Sequence, residues 1–195
     1  MSKDGSLLEN HPVDRARDHI VLLPGVVEGL RLLHLAGYAL VVVTNQSGIA
    51  HGCFGRDAVT YEEINLRIRL ATFEVPIAGF YVCPHHPDGI VPQYRLHCLC
   101  RKPKPGMLMQ AACELGVDLG NSWMVGDRLQ DIEAGRSAGS KTVLLTNGNE
   151  HDWEMTPLRW PDMVADTLLE AAHLIMVEDA SLTEGIGRPI EAEEE

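Results

Sequence analysis

The sequence is short of basic residues, of aromatic side chains and of long apolar runs. Its 195 residues carry 16 Lys or Arg against 28 Asp or Glu, a formal net charge of −12, which argues against nucleic acid or an anionic membrane as a partner. No apolar run is long enough to span a bilayer, and no signal-peptide pattern begins the chain. Isolated thiols at Cys53 and Cys113 fit a reducing compartment. We therefore expect a cytoplasmic, monomeric protein of one domain.

Cysteine is scarce, and its placement is informative. Of the five cysteines, Cys83, Cys98 and Cys100 form a C-x-H…C-x-C set with His85 around one loop. Paired ligands in two groups suit one tetrahedral ion, and thiolate and imidazole favour zinc over magnesium or calcium. Because no catalytic pattern stands inside the loop, we predict a structural zinc ion. Unrelated cysteine clusters and a disulfide are the alternatives, although Cys98 and Cys100 are too close for unstrained bridging.

Two basic residues follow the last predicted zinc ligand. Arg101 and Lys102 stand between Cys100 and the prolines Pro103 and Pro105, which restrict the backbone. Such a short basic run is often only a solvated turn. Here the metal on one side and the prolines on the other would fix both cations at the start of a helix, which favours an anion-binding role.

Strand and helix patterns alternate along the chain. The predicted strands are 40–43, 79–82, 123–125 and 141–145, and the predicted helices are 25–36, 57–73, 107–115, 129–138 and 164–176. The first strand is a continuous apolar run, typical of a strand buried on both faces. This alternation indicates βαβ units and a mostly parallel α/β sheet. The acidic residues 177–195 are expected to form a disordered tail after a domain spanning 1–176.

Polar residues follow three of the predicted strands, and a parallel sheet would bring them to one edge. They are T-N-Q-S-G at 44–48, G-D-R-L-Q-D at 126–131, and Arg101 with Lys102 after the zinc loop. Each segment alone could be a turn or a helix cap. Together the hydroxyl, amides, cations and carboxylates predict a site for phosphate and magnesium.

Five segments carry a resemblance to a known family. They are Lys3-Asp4-Gly5-Ser6, Val42-Val43-Thr44-Asn45-Gln46-Ser47-Gly48, Cys83-Pro84-His85-His86-Pro87, Cys98-Leu99-Cys100-Arg101-Lys102-Pro103 and Met124-Val125-Gly126-Asp127. In this combination the chain resembles the zinc-loop phosphatases of the haloacid dehalogenase (HAD) superfamily: the D-glycero-D-manno-heptose 1,7-bisphosphate phosphatases and the related histidinol-phosphate phosphatases. The resemblance extends to about Ala172. It implies a HAD-like, Rossmann-like parallel sheet flanked by helices, with a zinc-binding loop and no large cap.

The resemblance also implies roles for individual residues. In the family's first motif, D-x-D-G-[TS], the second Asp is the general acid/base, and it corresponds to Asp4. Thr44 would hydrogen-bond the transferring phosphoryl group, and Lys102, with Arg101 beside it, would offset the growing charge of that group. These four residues are the catalytic set that the resemblance implies.

Magnesium and substrate ligands follow from the same resemblance. Mg²⁺ would be bound by the backbone carbonyl of Asp4 and by Asp127, with Asp131 orienting the site. A small phosphorylated sugar would be the bound molecule. The positions that correspond to substrate contacts are Asn10, His11, Pro12, Val13, Asn45, Gln46, Ser47 and Arg128.

The chain departs from the family at the attacking residue. Ser2 stands where the family has the nucleophilic Asp, and the apolar strand that precedes this Asp in the family is missing. A serine without an adjacent base is a poor nucleophile. Either the sequence is a shortened version of an active enzyme, or it is a non-catalytic remnant. The intact downstream residues favour the first explanation.

The function that the resemblance implies is a Mg²⁺-dependent phosphatase of a small sugar phosphate. D-glycero-D-manno-heptose 1,7-bisphosphate is the first expected substrate, and histidinol phosphate is the alternative. A catalytically inactive protein that still binds a phosphorylated sugar is the other alternative, because Ser2 removes the covalent route. Structural zinc and catalytic magnesium are the expected cofactors.

Overall fold

The computed structural model describes residues 1–9, 20–146 and 154–185 of the chain. In these ranges, strands alternate with helices in a layered α/β arrangement. The strands are β1 (Val41–Asn45), β2 (Gly79–Cys83), β3 (Trp123–Gly126), β4 (Lys141–Leu145) and β5 (Met163–Ala165). The helices are α1 (Val26–Leu35), α2 (Ser47–Ala50), α3 (Arg56–Ala71), α4 (Gly106–Leu115), α5 (Leu129–Ser137) and α6 (Leu168–Gly185).

The strands pair in parallel, in two groups that the first two residues join. β1 pairs with β2, while β4 lies between β3 and β5. Ser2 forms a parallel bridge with Val43, and its amide donates to the Val125 carbonyl at 2.8 Å. The Val43 amide in turn donates to the Met1 carbonyl at 2.9 Å. Met1 and Ser2 therefore join β1 to β3 at the centre of the sheet.

Neighbouring residues of the buried strands face opposite layers, because side chains alternate along a strand. Val42 and Val125 belong to the larger core cluster, which includes buried residues of α1, α3 and α6. Val43 and Met124 instead pack with α4, and Leu144 packs with α5. Both faces of the sheet are thus covered, which is why its strands read as near-continuous apolar runs.

The C-terminal region differs from the sequence prediction. One helix is predicted over 164–176, but the structure has the strand β5 followed by α6, which continues to Gly185. Three residues are too few for an alternating pattern to reveal β5. Residues 177–185 therefore belong to a helix and not to a disordered tail, and Asp179 is bonded to the side chains of Trp123 and Lys141. The rest of the predicted tail, 186–195, lies outside the described residues.

The other predicted elements agree with the structure to within two residues at each end. The short helix α2 was not predicted, and it begins inside the polar segment 44–48. Within the described ranges, no helix is both long enough and apolar enough to cross a bilayer.

Candidate active site

The polar segments that follow the strands meet at the carboxyl end of the sheet. Thr44 lies near the end of β1, Asp127 directly follows β3, and Lys102 lies in the connection from β2 to α4. Asp4 reaches the same edge from the first turn of the chain, where it accepts a hydrogen bond from Thr44. The structure thus brings these four predicted residues, which lie up to 123 positions apart, into one region.

Three side chains orient the carboxylate of Asp4. Its Oδ2 accepts hydrogen bonds from Thr44 Oγ1 at 3.2 Å and from Gln46 Nε2 at 3.0 Å. Its Oδ1 lies 3.1 Å from the ammonium nitrogen of Lys3. The Asp4 side chain is nevertheless 40% exposed. It is therefore fixed in orientation and still accessible, as proton exchange with a bound substrate requires.

Lys102 is a buried cation held from two directions. Its Nζ lies 2.6 Å from Asp131 Oδ1 and donates to Ser2 Oγ at 2.9 Å and to the Val43 carbonyl at 3.2 Å. The Asn45 amide group fixes its backbone through two hydrogen bonds, both 3.1 Å long. An ammonium group has donors but no lone pair. In this arrangement Lys102 therefore supplies charge and does not act as a base towards the Ser2 hydroxyl.

Asp127 is the carboxylate best suited to a divalent cation. It is 1% exposed; Oδ1 accepts from Ser6 Oγ at 3.1 Å, while Oδ2 has no hydrogen-bond partner among the described residues. Burial, together with the nearby charge of Asp131, raises the pKa of Asp127 to about 6. Gly5 adopts a φ of 74°, and a Cβ there would lie 1.9 Å from Oδ2, so only glycine fits. A buried oxygen without a donor, beside a second carboxylate, suits Mg²⁺.

The predicted Cys/His group is assembled. The Sγ atoms of Cys83, Cys98 and Cys100 and the Nδ1 of His85 all lie within 4.8 Å of one another, and the closest pairs are 3.3–3.8 Å apart. Ligands ~2.3 Å from a tetrahedral ion lie ~3.8 Å apart, so one ion fits this group. The three cysteines are free thiols, which contradicts the disulfide alternative. Burial raises the pKa of the Cys83 thiol and lowers the pKa of His85, which favours the neutral imidazole.

The remaining predicted residues lie around this centre or outside the described ranges. Arg101 Nη1 donates to the His85 carbonyl at 3.2 Å, which links its guanidinium to the loop that carries the Cys/His group. Ser47 begins α2, and Arg128 is exposed directly before α5. Those that lie outside the described residues are Asn10, His11, Pro12 and Val13.

Lys3 and Glu62 belong to the same region, although no role is predicted for either from the sequence. Lys3 is 1% exposed, and its ammonium group hydrogen-bonds Glu62 of α3 in addition to its contact with Asp4. A lysine this deeply buried is rare. Its position next to Asp4 is the one sequence signal that could have drawn attention to it. Nothing in the sequence marks Glu62, which is 59 positions away.

The fold and these groups together define a class of protein. Ligands of open parallel sheets bind at the carboxyl ends of the strands. That end here carries a carboxylate oxygen without a donor, a fixed cation, hydrogen-bond donors and an accessible carboxylate. Metal-assisted phosphoryl transfer needs these groups to place the phosphate, offset its charge and move protons. The class is that of the Rossmann-like, metal-assisted phosphatases.

Known proteins of this class are similar to the chain. A HAD-hydrolase-like family model matches residues 99–171. The D-glycero-β-D-manno-heptose-1,7-bisphosphate 7-phosphatase of Yersinia pestis is 41% identical over 145 residues, which are 74% of this chain and 77% of the relative. The protein of the same name from Escherichia coli K12 is 38% identical over 169 residues, with 81% and 87% covered.

A solved structure gives the same result. The D,D-heptose 1,7-bisphosphate phosphatase of B. bronchiseptica, complexed with magnesium and phosphate, matches with a TM-score of 0.75 and 28% identity over 91% of this chain and 96% of that chain. The chain therefore belongs to the heptose bisphosphate phosphatase family of the HAD superfamily. This confirms the resemblance and the HAD-like fold predicted from the sequence.

Proposed function

We propose that this chain binds D-glycero-D-manno-heptose 1,7-bisphosphate and removes its 7-phosphate with the help of Mg²⁺, at a rate that Ser2 keeps low. The observation that carries the proposal is the buried Asp127 oxygen without a donor, beside the Lys102–Asp131 ion pair. This arrangement destabilises a metal-free protein, and it becomes favourable when a cation and a phosphate are bound. The identity of the sugar is inferred from the relatives, which are heptose 1,7-bisphosphate 7-phosphatases.

In this proposal each residue of the site has one task. Asp127 and the Asp4 carbonyl would hold Mg²⁺, which would supply positive charge to orient the phosphate and offset its charge. Thr44 donates a hydrogen bond to the phosphoryl group, and Lys102 stabilises the charge that grows on it, with Arg101 beside the same site. Because Ser2 takes the place of the attacking carboxylate, a water molecule would attack phosphorus directly while the bond from phosphorus to the sugar oxygen breaks. Asp4 would protonate the departing sugar oxygen, and the proton lost by the water would return to Asp4.

The positions predicted to contact the sugar remain part of the proposal, as do a monomeric state, a cytoplasmic location and a single catalytic domain, which includes α6 up to Gly185. Asn45 and Gln46 would act partly through the residues that they hold, since their amide groups bond the Lys102 backbone and Asp4. The other proposed contacts are Asn10, His11, Pro12, Val13, Ser47 and Arg128.

Zinc is the ion that we propose for the Cys/His group. Three thiolates and one imidazole at tetrahedral spacing favour zinc over harder cations. The group leaves no position for a substrate if all four residues bind, so the ion would be structural. It would fix the loop that carries Arg101 and Lys102 to the end of β2, because Cys83 ends that strand and Cys100 precedes these cations.

One observation favours a second function, the binding of a phosphorylated sugar without turnover. Ser2 replaces the attacking carboxylate, and the cation that bonds its hydroxyl is already paired with Asp131. The retained groups would still bind phosphate, because Lys102, Thr44 and Asp127 do not depend on the nucleophile. No corresponding observation favours histidinol phosphate.

The test is an assay of phosphate release with heptose 1,7-bisphosphate and Mg²⁺, combined with calorimetry of sugar binding. Slow, Mg²⁺-dependent release that Asp127→Asn reduces about 10²-fold would support the phosphatase. The exposed Asp57 gives the matched control, since Asp57→Asn should keep the rate. Binding without release would support the second function. Absence of both would contradict both, and faster release from histidinol phosphate would overturn the substrate assignment.

A further inference from the structure

Lys3 is a buried cation that the site described so far does not use. Its side chain is 2% exposed, and its ammonium group lies between two carboxylates, those of Asp4 and Glu62. Glu62 is on α3, and its side chain is 21% exposed, whereas that of Asp4 is 40% exposed. The Lys3 ammonium group therefore links Glu62 of α3 to Asp4, the more exposed of the two carboxylates.

A buried ammonium group is expensive unless it is paired and hydrogen-bonded. Glu62 alone would neutralise the charge of Lys3. The contact with Asp4 is therefore additional to what burial requires, and the local backbone produces it. The amides of Leu7 and Leu8 both donate to the Lys3 carbonyl, at 2.9 and 3.1 Å. This tight turn lets the adjacent side chains of Lys3 and Asp4 meet, whereas in an extended strand they would point to opposite faces.

The contact completes the restraint of the Asp4 carboxylate. Thr44 and Gln46 donate to Oδ2, but both bonds are to the same oxygen, so they leave rotation about that atom open. The contact of Lys3 with Oδ1 at 3.1 Å removes this freedom. Glu62 in turn fixes Lys3, so the orientation of Asp4 depends on a residue of α3.

We propose that Lys3 is a positioning residue, which Glu62 anchors and which fixes the plane of the Asp4 carboxylate for proton transfer. The proposal rests on the proposed function in one respect, the role of Asp4 as acid/base. General acid/base catalysis requires the carboxylate within hydrogen-bond reach of the reacting oxygen, so a rotated Asp4 transfers protons poorly. Substrate affinity does not depend on this rotation.

The first experiment does not need turnover. Crystal structures of the wild type, Lys3→Arg and the double variant Lys3→Met/Glu62→Leu would show the Asp4 carboxylate directly. Removal of both charges of the pair leaves no unpaired buried ion, so the double variant should fold. We expect the plane of the Asp4 carboxylate to be kept in Lys3→Arg and Oδ1 to rotate away from its position in the double variant, while the 3.0 Å contact between Gln46 Nε2 and Asp4 Oδ2 persists in both. An unmoved Asp4 in the double variant would overturn the proposal.

The second experiment separates positioning from stability. We expect kcat of the double variant to fall about 10- to 100-fold, as for other residues that orient catalytic groups, with KM changed less than about threefold. Lys3→Arg should recover most of kcat. The melting temperature of the double variant should stay near that of the wild type. If kcat of the double variant falls only as far as its melting temperature falls, the role of Lys3 is purely structural and the proposal is contradicted. An unchanged kcat in a stable double variant would contradict it as well.

A matched control lies on the same helix. Arg67 and Glu63 form an ion pair of 2.8 Å on α3, and Arg67→Met/Glu63→Leu removes charges of the same kind without touching Asp4. This variant should keep both kcat and KM. If the wild type releases no phosphate at all, the proposed function fails, while the orientation of Asp4 in the crystals still decides the role of Lys3.

Discussion

Two carboxylates at opposite ends of the sheet have opposite environments. At the amino end, Asp179 of α6 has donors on both oxygens: Lys141 Nζ lies 3.1 Å from Oδ1, while Trp123 Nε1, at 3.0 Å, and the Tyr38 hydroxyl donate to Oδ2. Burial alone would raise the pKa of Asp179, but these hydrogen bonds hold it below its usual value. Asp179 therefore stabilises the fold by remaining charged.

Asp127 at the carboxyl end lacks this support. It has one side-chain donor, Ser6, and the carboxylate of Asp131 lies nearby, so burial and charge repulsion raise the pKa of Asp127 to about 6. Its negative charge opposes folding unless a cation is bound. The difference shows that the amino end of the sheet is built for stability, whereas the carboxyl end gives up stability for binding.

Removal of the proposed zinc ion should have the largest effect of the changes considered, and it should destabilise only the carboxyl end of the sheet. Without the ion, the loop that carries Lys102 loses its link to β2. We expect Cys98→Ser to lower the free energy of unfolding by more than about 5 kcal/mol, given that zinc contributes ~10–16 kcal/mol in small domains. Hydrogen exchange should rise across residues 83–102 and stay unchanged around Asp179.

The exposed thiol of Cys113 provides the control for this experiment. Cys113→Ser should leave both the stability and the zinc content unchanged. Protein that contains no zinc after purification without chelators would contradict the prediction, and so would an equal rise in exchange at both ends of the sheet.

The next largest effect should come from Ser2, which limits the rate of phosphate release. Without an attacking carboxylate, we expect this chain to release phosphate at least ~10³-fold more slowly than the Escherichia coli relative assayed beside it. Ser2→Asp should recover only a small part of this loss, because a single residue pair, Met1 and Ser2, holds the centre of the sheet and leaves the new carboxylate poorly positioned. Turnover at the level of the relative by the unmodified chain would contradict this prediction.

Replacing each of the two carboxylates, Asp127 and Asp179, by an amide should affect activity at one end of the sheet and stability at the other. Asp127→Asn should reduce Mg²⁺-dependent phosphate release by about 10²-fold, in the range of other lost electrostatic groups, and should raise the melting temperature of the metal-free protein. Asp179→Asn should change the rate less than about twofold, while lowering the free energy of unfolding by about 1–3 kcal/mol. If both variants lose activity equally, or both lose stability, the contrast between the ends is wrong.

Residues 40–43 and 141–145 show what the sequence predicts well. Their apolar, β-branched runs are local signals of buried strands, and both strands were predicted within two residues. The strand β5 was missed because three residues carry no period, and the end of α6 was misplaced because it depends on tertiary bonds to Asp179. Local sequence patterns predict which strands and helices form, whereas long-range contacts determine where they end.

The candidate site divides in the same way. The motif residues Asp4 and Asp127 were predicted from the resemblance, and the metal group from the spacing of its ligands. The His85 nitrogen that faces the cysteines, the buried Lys3–Glu62 pair and the absence of a donor at Asp127 Oδ2 all follow from packing between distant segments. No pattern in the sequence encodes these contacts, so only the structure reveals them.

The pH dependence of stability should distinguish the two carboxylates by sign. The folded-state pKa of Asp127, about 6, lies above the ordinary aspartate value of 3.8, so between these values the unfolded chain releases its proton first. In metal-free buffer, the contribution of Asp127 to stability should therefore fall by on the order of 3 kcal/mol as the pH rises from 4 to above 6. Asp179 has a lowered pKa, so its contribution is present above pH 4 and is lost as the pH falls through its folded value.

Urea unfolding across this range should show wild type and Asp127→Asn converging below pH 4, with the variant more stable above pH 6, while the deficit of Asp179→Asn should shrink only in acid. Saturating Mg²⁺ should remove the advantage of Asp127→Asn, because the cation replaces the missing donor; an advantage that persists with Mg²⁺ would mean that Asp127 does not bind the metal.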